Sequence, residues 1–327
     1  MWHNVTLIRK LGQGGMGEVW LAYHDEIGAQ FAVKSIKSDM VRDKDASRFE
    51  REVALLRGLR HKNIVRIVDY ASDVDRPGYA MELCTGGTLE EVAGAKPTIK
   101  EWLNYFWQAA DGLEYLHSQE PPIVHRDLKP ANLLIGADGK LKLGDFGLSK
   151  SLNDSCLTST NSNWGTPGFS PPEQWAHFSA IDARADMYSL GATFYYLLSG
   201  QIYNPLKPLA EVHSSAFRLL LRRLLAYDLH ERISSVASMR EAWNEITEQV
   251  ATAEYLDLLP EARLAKLEAA HDRMEQAAED DIDTPIAAAS FFERVLLAEQ
   301  DEALRQQIQI FVQIAQERVT MMIRLME

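Results

Sequence analysis

The stretch from Ile123 to Gly147 constrains this chain more than any other part of its sequence. It carries three oxygen-bearing side chains, Asp127, Asn132 and Asp145. Two short apolar runs separated by a glycine-containing turn lie between Asn132 and Asp145, and they predict a hairpin that brings these two side chains together. Two oxygen ligands, completed by waters and substrate phosphates, suit Mg²⁺. Asp127 would remain free to accept a proton from an incoming hydroxyl group.

Two motifs in this stretch carry a family resemblance. Residues 125–132 read His-Arg-Asp-Leu-Lys-Pro-Ala-Asn, and residues 145–147 read Asp-Phe-Gly. Together they resemble the catalytic core of eukaryotic-like (Hanks-type) serine/threonine protein kinases, and the wording Lys-Pro-Ala-Asn resembles bacterial members. The resemblance covers Val5 to about Val250. It implies an α+β, bilobal protein-kinase fold, with an antiparallel β-sheet N-lobe that holds one helix and a mainly helical C-lobe.

The chain is predicted to contain three segments. The resemblance implies a kinase N-lobe at 1–83 and a kinase C-lobe at 84–250. Residues 251–327 match no pattern that we recognise, and we expect them to form a helical, acidic C-terminal extension.

A glycine-rich stretch and a lysine predict where phosphates bind. Residues 12–19 read Gly-Gln-Gly-Gly-Met-Gly-Glu-Val between two β-rich runs, and glycine lets the backbone approach phosphates closely. Such a stretch alone is more typical of a plain hairpin. It is followed, however, by an apolar strand that contains Lys34, and lysine is unusual in such a run without a partner. In the family this lysine pairs with a glutamate of the next helix, which is Glu52 here; the alternative for Glu52 is a solvated helix charge.

The resemblance also assigns roles residue by residue. It implies ATP and Mg²⁺ as cofactors, with Asn132 and Asp145 as metal ligands, and it implies catalytic roles for Asp127, Lys129, Lys34 and Glu52. Met81 would line the back of the adenine pocket, while Glu82 and Cys84 would offer backbone groups to the adenine edge. The nucleotide-binding positions that it implies are Gly12, Gln13, Gly14, Gly15, Gly17, Val19, Ala32, Lys34, Met81, Glu82, Cys84 and Leu134.

The segment after Asp-Phe-Gly resembles a protein-kinase activation segment. It ends in Gly-Thr-Pro-Gly-Phe-Ser-Pro-Pro-Glu at 165–173, with Pro-Pro-Glu where the family usually has Ala-Pro-Glu. Lys129 and Thr166 match the serine/threonine branch. Family members with an arginine at the position of Arg126 are commonly activated by loop phosphorylation, and the resemblance places such sites at Thr158 and Thr160.

Two structural contacts and one departure follow from the same comparison. Asp186 resembles the aspartate that anchors the catalytic loop, and Arg232 matches the arginine that pairs with the glutamate here numbered Glu173. Between Gly200 and the helix predicted from Ala216, the chain is too short for the family's usual loop and helix. We therefore expect a docking surface of the family to be reduced or remodelled here.

Composition and charge limit the function classes. The net charge of −13 argues against a general nucleic-acid-binding protein. The two cysteines, Cys84 and Cys156, form no disulfide framework and suit a reducing cytosol. We see no signal peptide and no uncharged apolar run near the length of a membrane helix, so the sequence predicts a soluble, cytoplasmic protein.

The tail carries most of the acidity of the chain. Residues 251–327 hold 7 basic and 16 acidic residues, a net charge of −9. Apolar residues recur at helical spacing, which predicts amphipathic helices. Residues 280–285 are a predicted break that starts a helix near Pro285, and we expect this helix to continue onward even if it is broken near Gln300 and Asp301. We expect this apolar stripe to pack on the kinase C-lobe or to mediate association with another chain.

Three functional classes are compatible with the motifs. The first is a protein kinase that phosphorylates Ser or Thr of protein substrates and autophosphorylates its activation loop. The second is a small-molecule phosphotransferase with a kinase-like fold, which the long activation segment disfavours. The third is a catalytically dead scaffold, which the intact Lys34, Asp127, Asn132 and Asp145 disfavour.

Overall fold

The structure of the chain is a computed structural model. It describes residues 5–14, 17–36, 53–71, 78–145, 166–175, 181–209, 212, 214–278 and 281–326. The chain divides into two compact units, Met1–Arg240 and Glu241–Glu327. The predicted boundary, between residues 250 and 251, lies ten residues after this division. Both boundaries fall inside one helix, Val236–Leu256.

The N-lobe is built on a five-stranded antiparallel sheet. Its strands are β1 (Val5–Gly14), β2 (Gly17–His24), β3 (Ala29–Ile36), β4 (Ile67–Ala71) and β5 (Gly78–Met81), in the order β1-β2-β3-β5-β4. The register places Lys34 of β3 between Val19 of β2 and Tyr79 of β5. Residues 53–58 are helical, as the apolar spacing of that region predicts.

The C-lobe begins with a short helix α1 (Leu89–Val92) and the long helix α2 (Ile99–His117). Thr98 and Glu101 form a reciprocal capping box that fixes the start of α2. The helix buries one stripe of large and small apolar residues, Trp102, Phe106, Ala109, Ala110, Leu113 and Leu116. Phe106 packs edge-to-face against Phe194 and Phe217, so this stripe lies at the centre of the C-lobe core.

A small hairpin follows α2 and carries part of the site. Strands β6 (Leu133–Ile135) and β7 (Leu141–Leu143) pair antiparallel, as the sequence predicts. Gly139 has φ 74° in the turn, a conformation that glycine adopts without strain.

The remaining helices of the first unit surround this core. They are α3 (Pro172–Trp175), α4 (Ala183–Ser199) and α5 (Ser215–Leu224). Helix α4 is buried on almost every side. Within the described part of 200–214 there is no helix, in agreement with the short connection noted in the sequence.

The tail forms a helical unit with its own core. Its helices are α6 (Val236–Leu256), which begins in the first unit, α7 (Pro260–Glu275), α8 (Asp283–Ala298) and α9 (Glu302–Met326). The helix predicted from about Pro285 begins at Asp283 and is interrupted between Ala298 and Glu302, which separates α8 from α9. Their buried residues form one cluster of Tyr255, Leu267, Ala270, Met274, Ala288, Phe292, Val295, Leu304, Ile308, Phe311 and Ala315. The apolar stripe was predicted to pack on the kinase C-lobe or on another chain, but most of it is buried by the tail's own helices.

One buried carboxylate joins three helices of the tail. Glu299 is 1% exposed and accepts hydrogen bonds from the hydroxyl of Tyr255 (2.9 Å) and from Nη1 of Arg263 (3.0 Å). Burial alone would raise the pKa of Glu299, but these bonds and the backbone amides of Gln300 and Asp301 lower it. The carboxylate therefore stays charged and fixes the helix ends that meet there.

Candidate active site

The catalytic loop is held by one buried carboxylate at the start of α4. Asp186 is fully buried and accepts hydrogen bonds from the backbone amides of His125 (2.7 Å) and Arg126 (2.8 Å) and from Nε2 of His117 (2.9 Å). Burial alone would raise the pKa of Asp186, but the hydrogen bond and charge of His117 and the other donors lower it. The anchoring role predicted for Asp186 is confirmed.

His125 ties the same loop to the hairpin. It is fully buried, and its Nε2 lies 3.0 Å from the carbonyl oxygen of Gly144. The loop thus has fixed contacts both with α4 and with the residue that precedes Asp145.

Asp127 lies within hydrogen-bond reach of a lysine and a threonine. Nζ of Lys129 is 3.1 Å from Oδ2 of Asp127 and 3.0 Å from Oγ1 of Thr166, whose hydroxyl is 3.3 Å from Oδ1 of Asp127. The Asp127 side chain is 14% exposed, so most of it is shielded from solvent while its oxygens face polar groups. This arrangement can accept a proton from a hydroxyl group and offset negative charge beside it.

Asn132 and Asp145 come together through the hairpin. The amide of Gly144 donates to the carbonyl oxygen of Asn132 (2.9 Å), which sets the two residues on neighbouring backbones. Nδ2 of Asn132 donates to the backbone oxygen (2.7 Å) and to Oδ2 (3.1 Å) of Asp127. Since its amide nitrogen is occupied, the side-chain oxygen of Asn132 is the atom left for a cation.

These two residues suit a hard cation in number and kind. An amide oxygen and a carboxylate match the oxygen preference of Mg²⁺, which usually keeps several waters and substrate phosphates in its shell. Among the described residues, no cluster of three or more His, Cys, Asp or Glu could hold a metal by itself. The site therefore fits a metal shared with a phosphorylated ligand.

Lys34 reaches Asp145 from the N-lobe. Its Nζ lies 2.7 Å from Oδ1 of Asp145, and its side chain is 12% exposed. Burial disfavours the ammonium, but Tyr79 and Asp145 more than offset this, so the pKa of Lys34 is raised above its ordinary value. Lys34 is therefore charged, and it joins the two lobes at the site.

Tyr79 is a site residue that sequence reasoning missed. It stands opposite Lys34 across β3 and β5 and is 3% exposed, and the two side chains are close enough for each to shift the pKa of the other. Burial raises the pKa of Tyr79 to about 12, although Lys34 opposes the shift. The phenol is therefore neutral at physiological pH, and its oxygen can accept from the ammonium. The register between two strands more than 40 positions apart created this contact, and no local motif signals it.

A cavity of about 550 Å³ lies between the two lobes of the first unit. This volume is typical of small-molecule sites. It is lined by nine of the predicted positions, Gly12, Val19, Ala32, Met81, Glu82, Cys84, Asn132, Leu134 and Asp145. The lining also includes Leu11, Leu21 and Thr88, which the sequence analysis did not single out.

The segment that contains Glu82 and Cys84, which we call the hinge, presents only some of its backbone groups to the cavity. The amide of Glu82 donates to the carbonyl oxygen of Arg66 (2.9 Å), so only the carbonyl of Glu82 is left for a ligand edge. Its side chain accepts from the Arg66 amide (2.7 Å) and from Lys142 (3.2 Å). Burial raises the pKa of Cys84 to about 11, which keeps this thiol protonated at neutral pH.

Several predicted positions lie outside this cavity or outside the described residues. Gln13 pairs with Glu18 and Gly14 with Gly17 at the end of the β1–β2 hairpin. Gly15, Glu52, Thr158 and Thr160 lie outside the described residues. Their roles stay predictions, and so does the pairing of Lys34 with Glu52.

The end of the activation segment is fixed by a buried ion pair. Nη1 and Nη2 of Arg232 lie 2.6 and 3.1 Å from the two carboxylate oxygens of Glu173. Arg232 also lies over the ring of Tyr188, and Nε2 of Gln174 donates to the carbonyl oxygen of Arg126. The predicted Glu173–Arg232 pair is thus confirmed.

Comparisons with known proteins agree with this geometry. The serine/threonine-protein kinase PknJ of Mycobacterium tuberculosis is 37% identical over 199 residues, which cover 59% of this chain and 33% of that protein. Pkn1 of Myxococcus xanthus is 33% identical over 275 residues, 76% of this chain and 38% of that protein. PrkC of Bacillus subtilis is 35% identical over 199 residues, 60% and 30% respectively. The aligned regions thus span between 30% and 38% of these relatives.

The family match covers most of the chain. Residues 5–246 match the protein kinase domain, a range that includes the glycine-rich hairpin, the interlobe cavity and the loop that carries Asp127. The fold is accordingly the bilobal α+β fold of that family, followed by the helices of the tail. The chain belongs to the protein kinase family.

Proposed function

We propose that this chain is a serine/threonine protein kinase that transfers the γ-phosphoryl group of ATP to hydroxyl groups of protein substrates. The observation that carries the proposal is the set of contacts around Asp127. Its carboxylate meets Lys129 and Thr166, and it is bonded to Asn132, which lines the interlobe cavity. A base next to a cavity of small-molecule size, with Lys129 and Lys34 close by, suits the transfer of a phosphoryl group to a hydroxyl group.

Each residue of the site has its own role in phosphoryl transfer. Asp127 accepts the hydroxyl proton as the substrate oxygen bonds to the γ-phosphorus, and ADP carries away the electrons of the broken P–O bond. Lys129 offsets charge on the transferring group, and Lys34 holds the other phosphates. Asn132 and Asp145 would hold Mg²⁺, which supplies charge neutralisation at the phosphates. Positioning and charge thus account for most of the rate enhancement.

The two other functional classes are less well supported. A small-molecule phosphotransferase does not need the segment that ends in the buried Glu173–Arg232 pair. A dead scaffold would not need Lys34 charged and bonded to Asp145. Protein substrates and a cytoplasmic location also belong to this proposal.

Asp127→Asn tests the assignment of the base. We expect ATP affinity to remain within about twofold and turnover on a protein substrate to fall at least about a hundredfold, because general-base catalysis contributes about 10²–10⁴. Radiolabelled phosphate transfer and nucleotide-binding titrations measure the two effects. Wild-type turnover in this variant would remove Asp127 from the mechanism.

The activation loop supplies a second test. A phosphate on Thr158 or Thr160 adds nearly two negative charges and can pair bidentately with an arginine such as Arg126. Mass spectrometry after incubation with ATP should find phosphate on one of these threonines or a near neighbour. A fully active enzyme with an unmodified loop would contradict activation by phosphorylation.

A further inference from the structure

A second cavity lies in the C-lobe, where the connection between α4 and α5 is short. Its volume is about 450 Å³, and it is lined by Tyr203, Lys207, Leu209, Arg218, Leu219 and Arg222, together with Pro208. All of these residues belong to the first compact unit. We call this cavity the basic pocket, because the described residues that line it include three cations and no acidic residue.

The cations of the basic pocket lack partners within the described part of the chain. Neither Lys207, Arg218 nor Arg222 forms an ion pair or a side-chain hydrogen bond with another described residue. Other arginines of this lobe do have partners: Arg184 pairs with Asp182, and Arg240 with Asp111. The cations of the basic pocket therefore differ from Arg184 and Arg240, which form ion pairs within the first unit.

The positions of the two arginines add to this imbalance. Arg218 and Arg222 are four residues apart on α5, a spacing at which side chains are neighbours and like charges repel. Residues 200–227 hold four basic residues and one acidic residue, Glu211, which lies outside the described residues. The whole chain has a net charge of −13. The like charges of Arg218 and Arg222 destabilise α5. A positive cluster of this kind on an acidic protein indicates an anionic ligand.

The chemistry of the lining favours a phosphate over a carboxylate. The guanidinium group binds phosphate bidentately, and a phosphorylated side chain brings nearly two charges where a carboxylate brings one. Leu209 and Leu219 supply apolar walls for the methylene stem that carries the phosphate. The cavity is concave and suits one such side chain with its neighbours. A nucleic acid is disfavoured by the acidity of the whole chain.

We propose that the basic pocket binds a phosphorylated serine or threonine of a protein partner, so that the kinase favours substrates that already carry a phosphate. The substrate preference rests on the proposed function, whereas the binding does not. Neither Lys207, Arg218 nor Arg222 belongs to the catalytic machinery described above.

A binding measurement on the full chain tests the pocket directly. The probe is a fluorescein-labelled peptide of alanine and glycine with a single phosphoserine, measured by anisotropy with saturating ADP in the nucleotide site. Its matched forms carry serine or glutamate at the same position, and a labelled single-stranded oligonucleotide is the third comparison. We expect the phosphopeptide to bind at least tenfold more tightly than each of the three. Equal binding of the glutamate peptide or of the oligonucleotide would overturn the proposal.

Paired variants locate the binding. Arg218→Gln with Arg222→Gln should weaken phosphopeptide binding at least tenfold, and Lys207→Gln alone should weaken it severalfold. The control, Lys96→Gln with Lys100→Gln, removes the same number of charges from exposed positions elsewhere in the C-lobe and should change binding less than twofold. An equal loss of phosphopeptide affinity in the two double variants would mean that only the net charge matters, and it would overturn the proposed site. Unchanged thermal melts in each variant exclude unfolding as the cause.

Kinetics separate this proposal from the proposed function. A peptide substrate with a phosphoserine near its acceptor serine should show a lower KM than the same peptide without the phosphate. The Arg218/Arg222 double variant should lose that difference and keep the turnover on the unphosphorylated peptide. If the wild-type chain phosphorylates the peptides but shows no preference and no phosphopeptide binding, the pocket proposal alone fails. If it binds the phosphopeptide but transfers no phosphate to any protein, the proposed function alone fails.

Discussion

At the scale of a single residue, Tyr79 and Asp145 are the two groups that most favour the charged form of Lys34. Asp145 is also a proposed ligand of the cation, whereas Tyr79 lies on β5 in register with Lys34 of β3. We predict that Tyr79→Phe raises the KM for ATP by about tenfold, because the variant removes a polar partner of the buried Lys34 ammonium, and a hydrogen-bond acceptor for a charged group contributes about 1.5–3 kcal/mol. Steady-state kinetics with ATP as the varied substrate measure this change.

A second tyrosine in the same sheet provides the control. Tyr23→Phe removes a hydroxyl from β2, where Tyr23 stands opposite Gln30, and it should leave the KM for ATP unchanged. If both variants keep the wild-type KM, Tyr79 has no positioning role. The case also shows what sequence reasoning can reach at this scale. The motif around Lys34 predicted that this lysine belongs to the site. Tyr79 was not predicted, because its position beside Lys34 depends on a strand register that is set by the whole sheet.

At the scale of an element, two aspartates at the N-terminal end of α4 have different roles: Asp182 is the N-cap, and Asp186 lies in the first turn. Asp186 is buried and holds the catalytic loop, whereas Asp182 is exposed and caps the helix by accepting from the amide of Arg184 (2.9 Å). We predict that Asp186→Asn lowers the free energy of unfolding of the first unit by about 3–5 kcal/mol, because it breaks a buried charged network. Asp182→Asn should cost less than about 1 kcal/mol, because asparagine caps helices almost as well as aspartate.

Thermal melts at several pH values test this prediction further. The pKa of Asp186 is lowered in the folded chain, so its stabilisation is fully present above the ordinary value of 3.8 and is lost as the pH falls through the lower folded value. The Asp186→Asn variant should therefore stay less stable than the wild type throughout the range from about pH 8 to about pH 5. A gap that closes within this range, or equal losses in Asp186→Asn and Asp182→Asn, would contradict the anchoring role.

Local signals explain why some elements were predicted well. Helix α2, from Ile99 to His117, is specified by its own segment, which contains both the capping box and the buried apolar stripe. The β6–β7 hairpin follows from a turn and two apolar runs that are equally local. The basic pocket was beyond prediction, since it depends on how the residues around 207 meet one face of α5. The sequence showed only that a helix of the family was missing there.

At the scale of the whole molecule, the tail is a unit whose core is its own. Phe311 is 6% exposed, its ring lies 4.7 Å from that of His271, and 5.4 Å from that of Phe292. The helical spacing of the apolar residues correctly predicted that this face is buried, but spacing alone cannot identify the partner. Several helices that each expose one apolar stripe can bury those stripes together, and the tail contains enough of them to do so.

Phe311→Asp therefore tests whether the tail folds as a cooperative unit. A unit of this size has a stability of about 4–13 kcal/mol, and placing a charge where a buried phenylalanine stood removes at least about 3–5 kcal/mol of it. We expect the variant to lose the tail's melting transition and to expose residues 241–327 to protease. The affinity for ATP should not change, because every residue of the interlobe cavity belongs to the other unit.

Ile310→Asp is the matched control. Ile310 is the neighbour of Phe311 in the chain, but its side chain is 52% exposed and should tolerate the charge. A tail that melts identically in both variants would mean that the cluster around Phe311 does not stabilise it. If Ile310→Asp instead changes the mass measured by light scattering, the exposed face of α9 is a contact with another chain.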